Sequence, residues 1–525
     1  MKFFPLVFAS ALVFVTIQSA AADAPRPVPK TLEITKLPPA KLFPNLCVLR
    51  YRVSTTSPEC QAFFDQGLGY LYSYVWMEAA RSFETAAHYD PKCAMAWWGL
   101  SRAIEHWGRG QHTTALKKAQ DLLETTSHRE SLLIKARLEE KGIWPGTAPA
   151  ARKTNATKTL DELLTLYEDD EEGWFCRAKL SDGVSAVPFY KALLRVNPLH
   201  PGAHHELVHF YEGFHRPALG WPHAEKYMES SPGMPHAFHM QAHLAMRLGR
   251  WAKTTDWSAR AIELQRAYHQ DMGVKPGDDW QFFHHLEVLT QSLTHDGRFH
   301  EARAIKKITQ DAGFTTNMHW FRLHLAERDW DEALRVARQF RKNDKPTASY
   351  LTALVHLRKG ETDRAAPEVD VLQEAYRSRR NDKQLELRLW ETQGTLLSQR
   401  GEADAGLKLL AKTVARTKDD YFRHSWGHGA YYMEAWGIAA LQAGKLDVAE
   451  EAFLETLAHD TGSVRGALGL QIVCERRGRS EESVRYAELA QRCWRRADQG
   501  CLPQELAALR QELPGPEKPT TGAKR

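Results

Sequence analysis

Residues 198–251 read PLHPGAHHELVHFYEGFHRPALGWPHAEKYMESSPGMPHAFHMQAHLAMRLGRW, and their spacing decides the fold. Two His-x-x-x-His pairs stand in this stretch, His205/His209 and His239/His243. Residues four apart on a helix share a face, one turn above the other, so each pair is a two-toothed claw. The pairs are 34 residues apart, and so are the prolines ahead of them, Pro198 and Pro232. A 34-residue period belongs to a helix–turn–helix unit that stacks into a solenoid. Both pairs then hold one register in successive repeats, and four imidazoles face one groove from neighbouring helices.

The same unit is legible near both ends of the chain. Phe63-x-x-Gln66-Gly67-x-x-Tyr70, Ala79-x-x-x-Phe83, Ala86 and Pro91 fit the tetratricopeptide pattern, with Gln66 standing where leucine is usual. Met433-x-x-Trp436-Gly437 and Ala449-x-x-x-Phe453 repeat it, and Gly437 to Ala449 spans the same 12 residues as Gly67 to Ala79. Gly67 allows a close helix approach, and Tyr70 and Phe83 fill the space between the two helices. Inter-helix turns are expected at Gly249, Gly297, Gly360, Gly401, Gly444 and Gly478. Gly249 to Gly297 is 48 residues, which predicts a longer helix or an insert near 273–277. Residues 143–156 are expected to be a loop. Asp169-Asp170-Glu171-Glu172 is expected to be a solvated helix start, and Glu105, His106 and His112 are expected at the surface. No alternating strand pattern is found, so the fold class is all-α, a tetratricopeptide-like superhelical solenoid.

A chain of 525 residues is too long for one compact core, which a solenoid does not require. The formal charge of +5 is small, and no basic block with interleaved aromatics supports nucleic-acid binding. Lys2, the apolar run from Phe3 to Ile17 and the small residues Ser19 to Ala22 read as a signal peptide over 1–22. The mature chain is therefore expected to be exported, periplasmic or extracellular, with no membrane span. Residues 23–45 read as a Pro-rich extended linker, 46–142 as N-terminal repeats, and 143–300 as central repeats carrying the histidines. C-terminal repeats follow over 301–500, and the tail over 513–525 reads as disordered. Seven cysteines permit disulfides in an exported chain. Cys47 with Cys60 and Cys493 with Cys501 are close enough in sequence to pair, but connectivity stays open.

Several boxes resemble a group of mostly bacterial tetratricopeptide proteins. Asp90, Pro91, Cys93, Ala94, Met95, Ala96, Trp98 and Gly99 match the end of an aromatic-rich first repeat. His200, Pro201, Gly202, Ala203, His205 and His209 match a His-Pro-Gly-Ala box. His236, His239, Met240, His243, Leu248, Gly249 and Trp251 match a second His box, and His284, Leu286 and Glu287 a third element. The likeness runs from about residue 60 to Trp494-Arg495-Arg496-Ala497-Asp498. It implies a fold and a histidine site, not a reaction. Glu206 departs from the group, which tends to carry an aromatic there.

That departure creates His205-Glu206-x-x-His209, the pattern in which two histidines hold zinc and a glutamate activates its water. A zincin also needs a third ligand and usually a substrate-binding strand, and no strand is read here. The broader expectation is a metal site shared between repeats, with His205, His209, His236, His239, His243, His284 and Glu287 as candidate ligands. Imidazoles with a carboxylate suit zinc, copper, nickel or iron. The function expected is a scaffold that binds a protein or peptide in its concave groove. The alternative is a metal-dependent hydrolase or oxidoreductase with Glu206 or Glu287 as base. Without metal, the histidines would line a ligand groove or titrate as a coupled set.

Overall fold

A computed structural model of the chain describes residues 28–418 and 430–511. The expected signal peptide and the C-terminal tail from 513 lie outside these residues. Twenty-five α-helices are found and no strand forms among the described residues, as the all-α reading requires.

Twenty-four of the helices form twelve successive pairs, and the last stands alone. The first pairs are α1 (Pro58–Tyr72) with α2 (Trp76–Tyr89), α3 (Ala94–Trp107) with α4 (His112–Asp121), and α5 (His128–Lys141) with α6 (Arg152–Leu166). Next come α7 (Glu171–Lys179) with α8 (Val187–Val196), α9 (Pro201–Gly213) with α10 (Pro217–Ser230), and α11 (Pro235–Arg247) with α12 (Trp251–Met272). Then come α13 (Trp280–His295) with α14 (Phe299–Asp311), α15 (Asn317–Ala326) with α16 (Trp330–Gln339), and α17 (Lys345–Arg358) with α18 (Thr362–Ser378). The last pairs are α19 (Lys383–Gln399) with α20 (Ala403–Thr417), α21 (Ala430–Gln442) with α22 (Leu446–His459), and α23 (Val464–Arg476) with α24 (Ser480–Cys493); α25 (Cys501–Arg510) closes the stack. Each helix packs on its partner, and odd-numbered helices also touch the next odd one, as α9 touches α11 and α11 touches α13.

The packing device read at Gly67 is confirmed and extends further. A Cβ at Gly67 would come within 2.8 Å of the Phe83 ring, and one at Gly99 on α3 within 2.5 Å of the same ring. One phenylalanine of α2 is thus cradled by glycines on the helices either side. Phe453 on α22 is cradled in the same way by Gly437 and Gly469. All six glycines expected at turns have positive φ, between 66° and 93°, where an L side chain would be strained. The 48-residue spacing is explained by α12, whose 22 residues end at Gly273 with φ 64°.

Some expectations are corrected. The loop expected at 143–156 ends early, because α6 already starts at Arg152. Asp170 does cap a helix, accepting from Gly173 N at 2.6 Å, and Asp169 is exposed as expected, but Asp170 and Glu172 are buried. Glu172 is fully buried and paired with Arg102 at 2.6 Å, and Asp170 accepts from Tyr51 Oη at 2.9 Å. All seven cysteines are free thiols. Cys47 receives a hydrogen bond from Ser231 Oγ at 3.6 Å, while Cys60 lies against Cys93.

Residues 28–56 form a helix-free strap seated along the first repeat. Gln66 explains its own departure from leucine: its Oε1 accepts from Phe43 N, and its Nε2 donates to Lys41 O, both at 2.9 Å. Glu84 and Thr85 accept further strap amides, from Thr35 at 2.8 Å and Ala40 at 3.0 Å. The strap's own Leu32, Leu46, Leu49, Tyr51 and Val53 are buried.

The C-terminal repeats return to touch the middle of the chain. Trp251 Nε1 donates to Asp460 Oδ1 at 2.9 Å, and Thr461 Oγ1 donates to Leu248 O at 2.8 Å. Trp494 Nε1 donates to His295 O at 2.8 Å, Arg496 Nη2 meets Asp296 at 2.9 Å, and Asp498 N donates to Gly297 O at 2.9 Å. Two of the sequence boxes, Leu248–Trp251 and Trp494–Asp498, are therefore placed at one long-range closure. Burial raises the Asp460 carboxyl to about 7, and the Trp251 indole opposes that rise. Trp251→Phe removes one donor from a buried acceptor and is expected to cost about 1–3 kcal/mol in urea unfolding. An unchanged midpoint would show that the closure does not form in solution.

Candidate metal centre

The His-Pro-Gly-Ala box is first a helix start. His200 Nδ1 accepts from Ala203 N at 3.1 Å, which caps α9, and Pro201 occupies its first turn. Gly202 lets α9 press on the end of α1, because a Cβ there would come within 2.8 Å of Tyr72 and Phe175. His205 then stands four residues into α9, as His239 does in α11 and His284 in α13. The third helix thus keeps the register although it follows a longer repeat. Val288 occupies the place of a second paired histidine there, and it is buried.

Two groups of three imidazoles result. His205, His209 and His236 each offer a nitrogen within 4.8 Å of the others, and so do His239, His243 and His284. The two groups are neighbours, since the His236 and His239 ring centres are 5.7 Å apart. His205 Nδ1 donates to Tyr72 O at 2.5 Å, which fixes its tautomer and turns the lone pair of Nε2 inward. His236 Nε2 lies 3.0 Å from that atom. In the second group His243 Nδ1 donates to Glu212 Oε1 at 3.0 Å, and His243 Nε2 lies 3.1 Å from His284 Nε2. Glu212 also accepts from Arg247 Nε at 2.9 Å. Burial pushes the Glu212 carboxyl up, but His243 and Arg247 more than offset it and hold it well below the usual carboxylate range.

These separations suit a shared metal. Two nitrogens bound at about 2.0–2.1 Å to one ion stand about 3.0–3.4 Å apart in octahedral or tetrahedral geometry. The side chains that lock His205 and His243 are the outer partners such ligands use. Other buried ring nitrogens meet no partner, including His209 Nε2, His236 Nδ1 and His239 Nδ1.

Six of the seven expected ligands are brought together. Glu287 is not: its Oε1 accepts from Thr316 Oγ1 at 2.9 Å, and its Oε2 lies 3.8 Å behind His284 Nδ1. It orients His284 from outside the groups. Glu206 also faces away from the imidazoles. Its carboxylate accepts from Tyr74 Oη and Lys179 Nζ, each at 3.0 Å, at the edge of a separate cavity of about 550 Å³. His236 supplies a third nitrogen, yet the glutamate of the zincin pattern is on the wrong side to activate a bound water.

Sequence reasoning missed Glu212, His285 and Tyr74. His285 Nδ1 bonds Gln265 Oε1 at 2.7 Å, and its ring centre is 4.0 Å from that of His239. Tyr74 holds φ at 59°, a conformation where most comparable turns use glycine, and its ring covers His205 and His209 at 4.5 and 5.5 Å. Its place between Ser73 and Trp76 in the α1–α2 turn was the signal available. His106 is exposed, as expected, and Glu105 is half-buried; both line the mouth of the same cavity as Glu206, where desolvation and then Arg102 pull the His106 imidazole down to about 4. A third acidic group, His324, Glu327 and Asp329, already holds a cation, for Lys306 Nζ reaches His324 Nε2 at 2.8 Å.

Burial, and then the neighbouring imidazoles, push His205, His236, His239 and His285 well below their ordinary range. Unfolded, each would take a proton near pH 6.5; folded and metal-free, each stays neutral. The unfolded chain therefore binds more protons below that pH, and stability falls as pH drops, by up to about 1.4 kcal/mol per unit per histidine. Chelator-treated protein should lose most of its urea midpoint between about pH 7 and 5. A midpoint that holds steady across that window would contradict neutral burial.

A family model described as a tetratricopeptide repeat matches residues 64–127, 320–380 and 434–498. The three matches flank the histidine groups without covering them. No match to a curated protein is found.

Proposed function

We propose that this chain is an exported tetratricopeptide scaffold that holds a transition metal between α9, α11 and α13 and offers its concave face to a protein or peptide. The observation that carries the metal is the convergence of six imidazoles from three successive first helices. Two Nε2···Nε2 separations there are 3.0 and 3.1 Å, and the outer nitrogens of His205 and His243 are tied to Tyr72 O and Glu212. The donor set is nitrogen-rich, which suits zinc, copper, nickel or iron and not magnesium or calcium. An ion shared across three successive repeats would clamp the centre of the superhelix in addition to their packing on neighbours. The scaffold role rests on the three repeat matches. The resemblance of the His boxes to a mostly bacterial group and the signal-like residues 1–22 support export. Among the described residues no helix is long and apolar enough to cross a membrane.

Elemental mass spectrometry of the mature protein tests the metal. At least one equivalent is expected, lost when His205, His209, His239 and His243 are all changed to alanine. No metal after reconstitution with zinc, copper, nickel and iron would overturn the proposal. Glu212→Gln removes the carboxylate behind His243 and should weaken metal binding about 10–100-fold in competition with a chromogenic chelator. An unchanged affinity would mean that the second imidazole group holds no ion.

A further inference from the structure

A second cavity, of about 160 Å³, lies among the C-terminal repeats. The helices α13, α15, α17, α19, α21 and α23 face it, and α25 contributes Glu505, Ala508 and Leu509. Its charges do not balance. Four guanidinium groups line it, those of Arg322, Arg328, Arg358 and Arg465, against three carboxylates, those of Glu391, Glu434 and Glu505. Arg465 takes Glu505 at 2.6 Å and Glu434 at 3.3 Å, and Arg328 shares Glu505 at 2.9 Å. Glu391 is bound by Tyr350 Oη at 2.7 Å. Among the described residues Arg322 and Arg358 form no ion pair with a carboxylate, and Arg322 Nη2 donates to Tyr350 Oη at 3.4 Å. Arg322 stacks on Tyr431 at 4.2 Å, and its Nε is buried with no hydrogen-bond partner. Arg358 forms no ion pair or hydrogen bond with the described residues.

An unpaired guanidinium held away from water is expensive, and a fold keeps one where something else completes it. Arg358 is half-buried in the cavity wall, and desolvation and then Arg465 pull its guanidinium down to about 10. Arg328 adds a second sign of cost. It sits at a turn with φ 64°, where the turns at Gly297 and Gly360 use glycine, and it carries its side chain to Glu505. Around Arg322 and Arg358 the wall is apolar: Leu325, Leu354, Leu357, Ile438 and Val464 line it.

We infer that this cavity binds a small monocarboxylate with a short apolar body, its carboxylate on Arg358 and Arg322 and its body against Leu354, Leu357 and Ile438. One negative charge cancels the single excess positive charge counted among the described lining residues, and a planar carboxylate matches the guanidinium fork. This site shares none of the six imidazoles of the proposed metal centre and stands or falls apart from it.

Calorimetric titration of the full chain with butyrate and benzoate tests the inference, with butylamine and inorganic phosphate as comparisons. One equivalent of butyrate or benzoate should bind to the wild type, butylamine should not bind, and phosphate should bind more weakly. Arg358→Gln should weaken the carboxylate at least about tenfold. The unliganded variant should melt at or above the wild-type temperature, because it loses an uncompensated buried charge. Arg358→Lys, which keeps the charge without the fork, should fall between. No binding by the wild type up to about 10 mM would overturn the inference. So would equal binding by Arg358→Gln, or a variant that melts lower with its affinity intact, the mark of a structural arginine. Phosphate or chloride binding as tightly as butyrate would reduce the site to an adventitious ion only. A peptide ending in leucine that binds more tightly than the free acids would assign the cavity to a polypeptide terminus instead.

Discussion

Three helices are held so close that His205 and His239, at matching fifth positions, are buried with His236 and His243 beside them, and the contacts around α9, α11 and α13 keep them there. A buried imidazole must be neutral, bonded or bound to a metal, because a charged one would lose its hydration without compensation. Gly202 lets α9 reach Tyr72, whose carbonyl takes the Nδ1 hydrogen of His205. Glu212 does the same for His243 from the following turn of α9. The strap over residues 28–56 fixes the first repeat through Gln66, Glu84 and Thr85. Behind α11 and α13, the contacts of Trp251 with Asp460 and of Trp494 with His295 tie the same helices to the far end of the chain.

Position in the repeat, more than residue type, carried the readable information. Gly67 with Phe83 and Gly437 with Phe453 declared the two clear repeats through a common spacing, and the six turn glycines marked the degenerate ones. The 34-residue register of His205 and His239 placed both on facing helices, and His284 keeps that register on α13. What stayed hidden depends on partners far along the chain. Nothing local to Asp170 or Glu172 reveals Tyr51 or Arg102, so two members of an acidic run that looks solvated are buried. Glu206 completes a tempting pattern, yet Tyr74 and Lys179 draw its carboxylate to the other side of α9. Glu212 carried no local signal because its partners, His243 and Arg247, lie one repeat away.

The two halves of the solenoid use their interiors differently. The central repeats gather imidazoles, which bind by lone pairs, and the C-terminal repeats gather guanidinium groups, which bind only by donating. Both accept strain at an inter-helix turn to do so: Tyr74 and Arg328 hold positive φ where glycine would sit without cost, and each reaches the site of its own half. A repeat architecture permits this division, since each unit is stabilised by its neighbours and its inward face is free to vary.

X-ray absorption at the edge of whatever metal the purified protein takes up tests the proposed site most directly, because it reads the atoms around the ion. The geometry predicts a first shell of nitrogen at about 2.0–2.1 Å with the outer-shell pattern of imidazole rings. A shell containing sulfur at about 2.3 Å, or one of oxygen alone, would place the ion elsewhere and contradict the site between α9, α11 and α13.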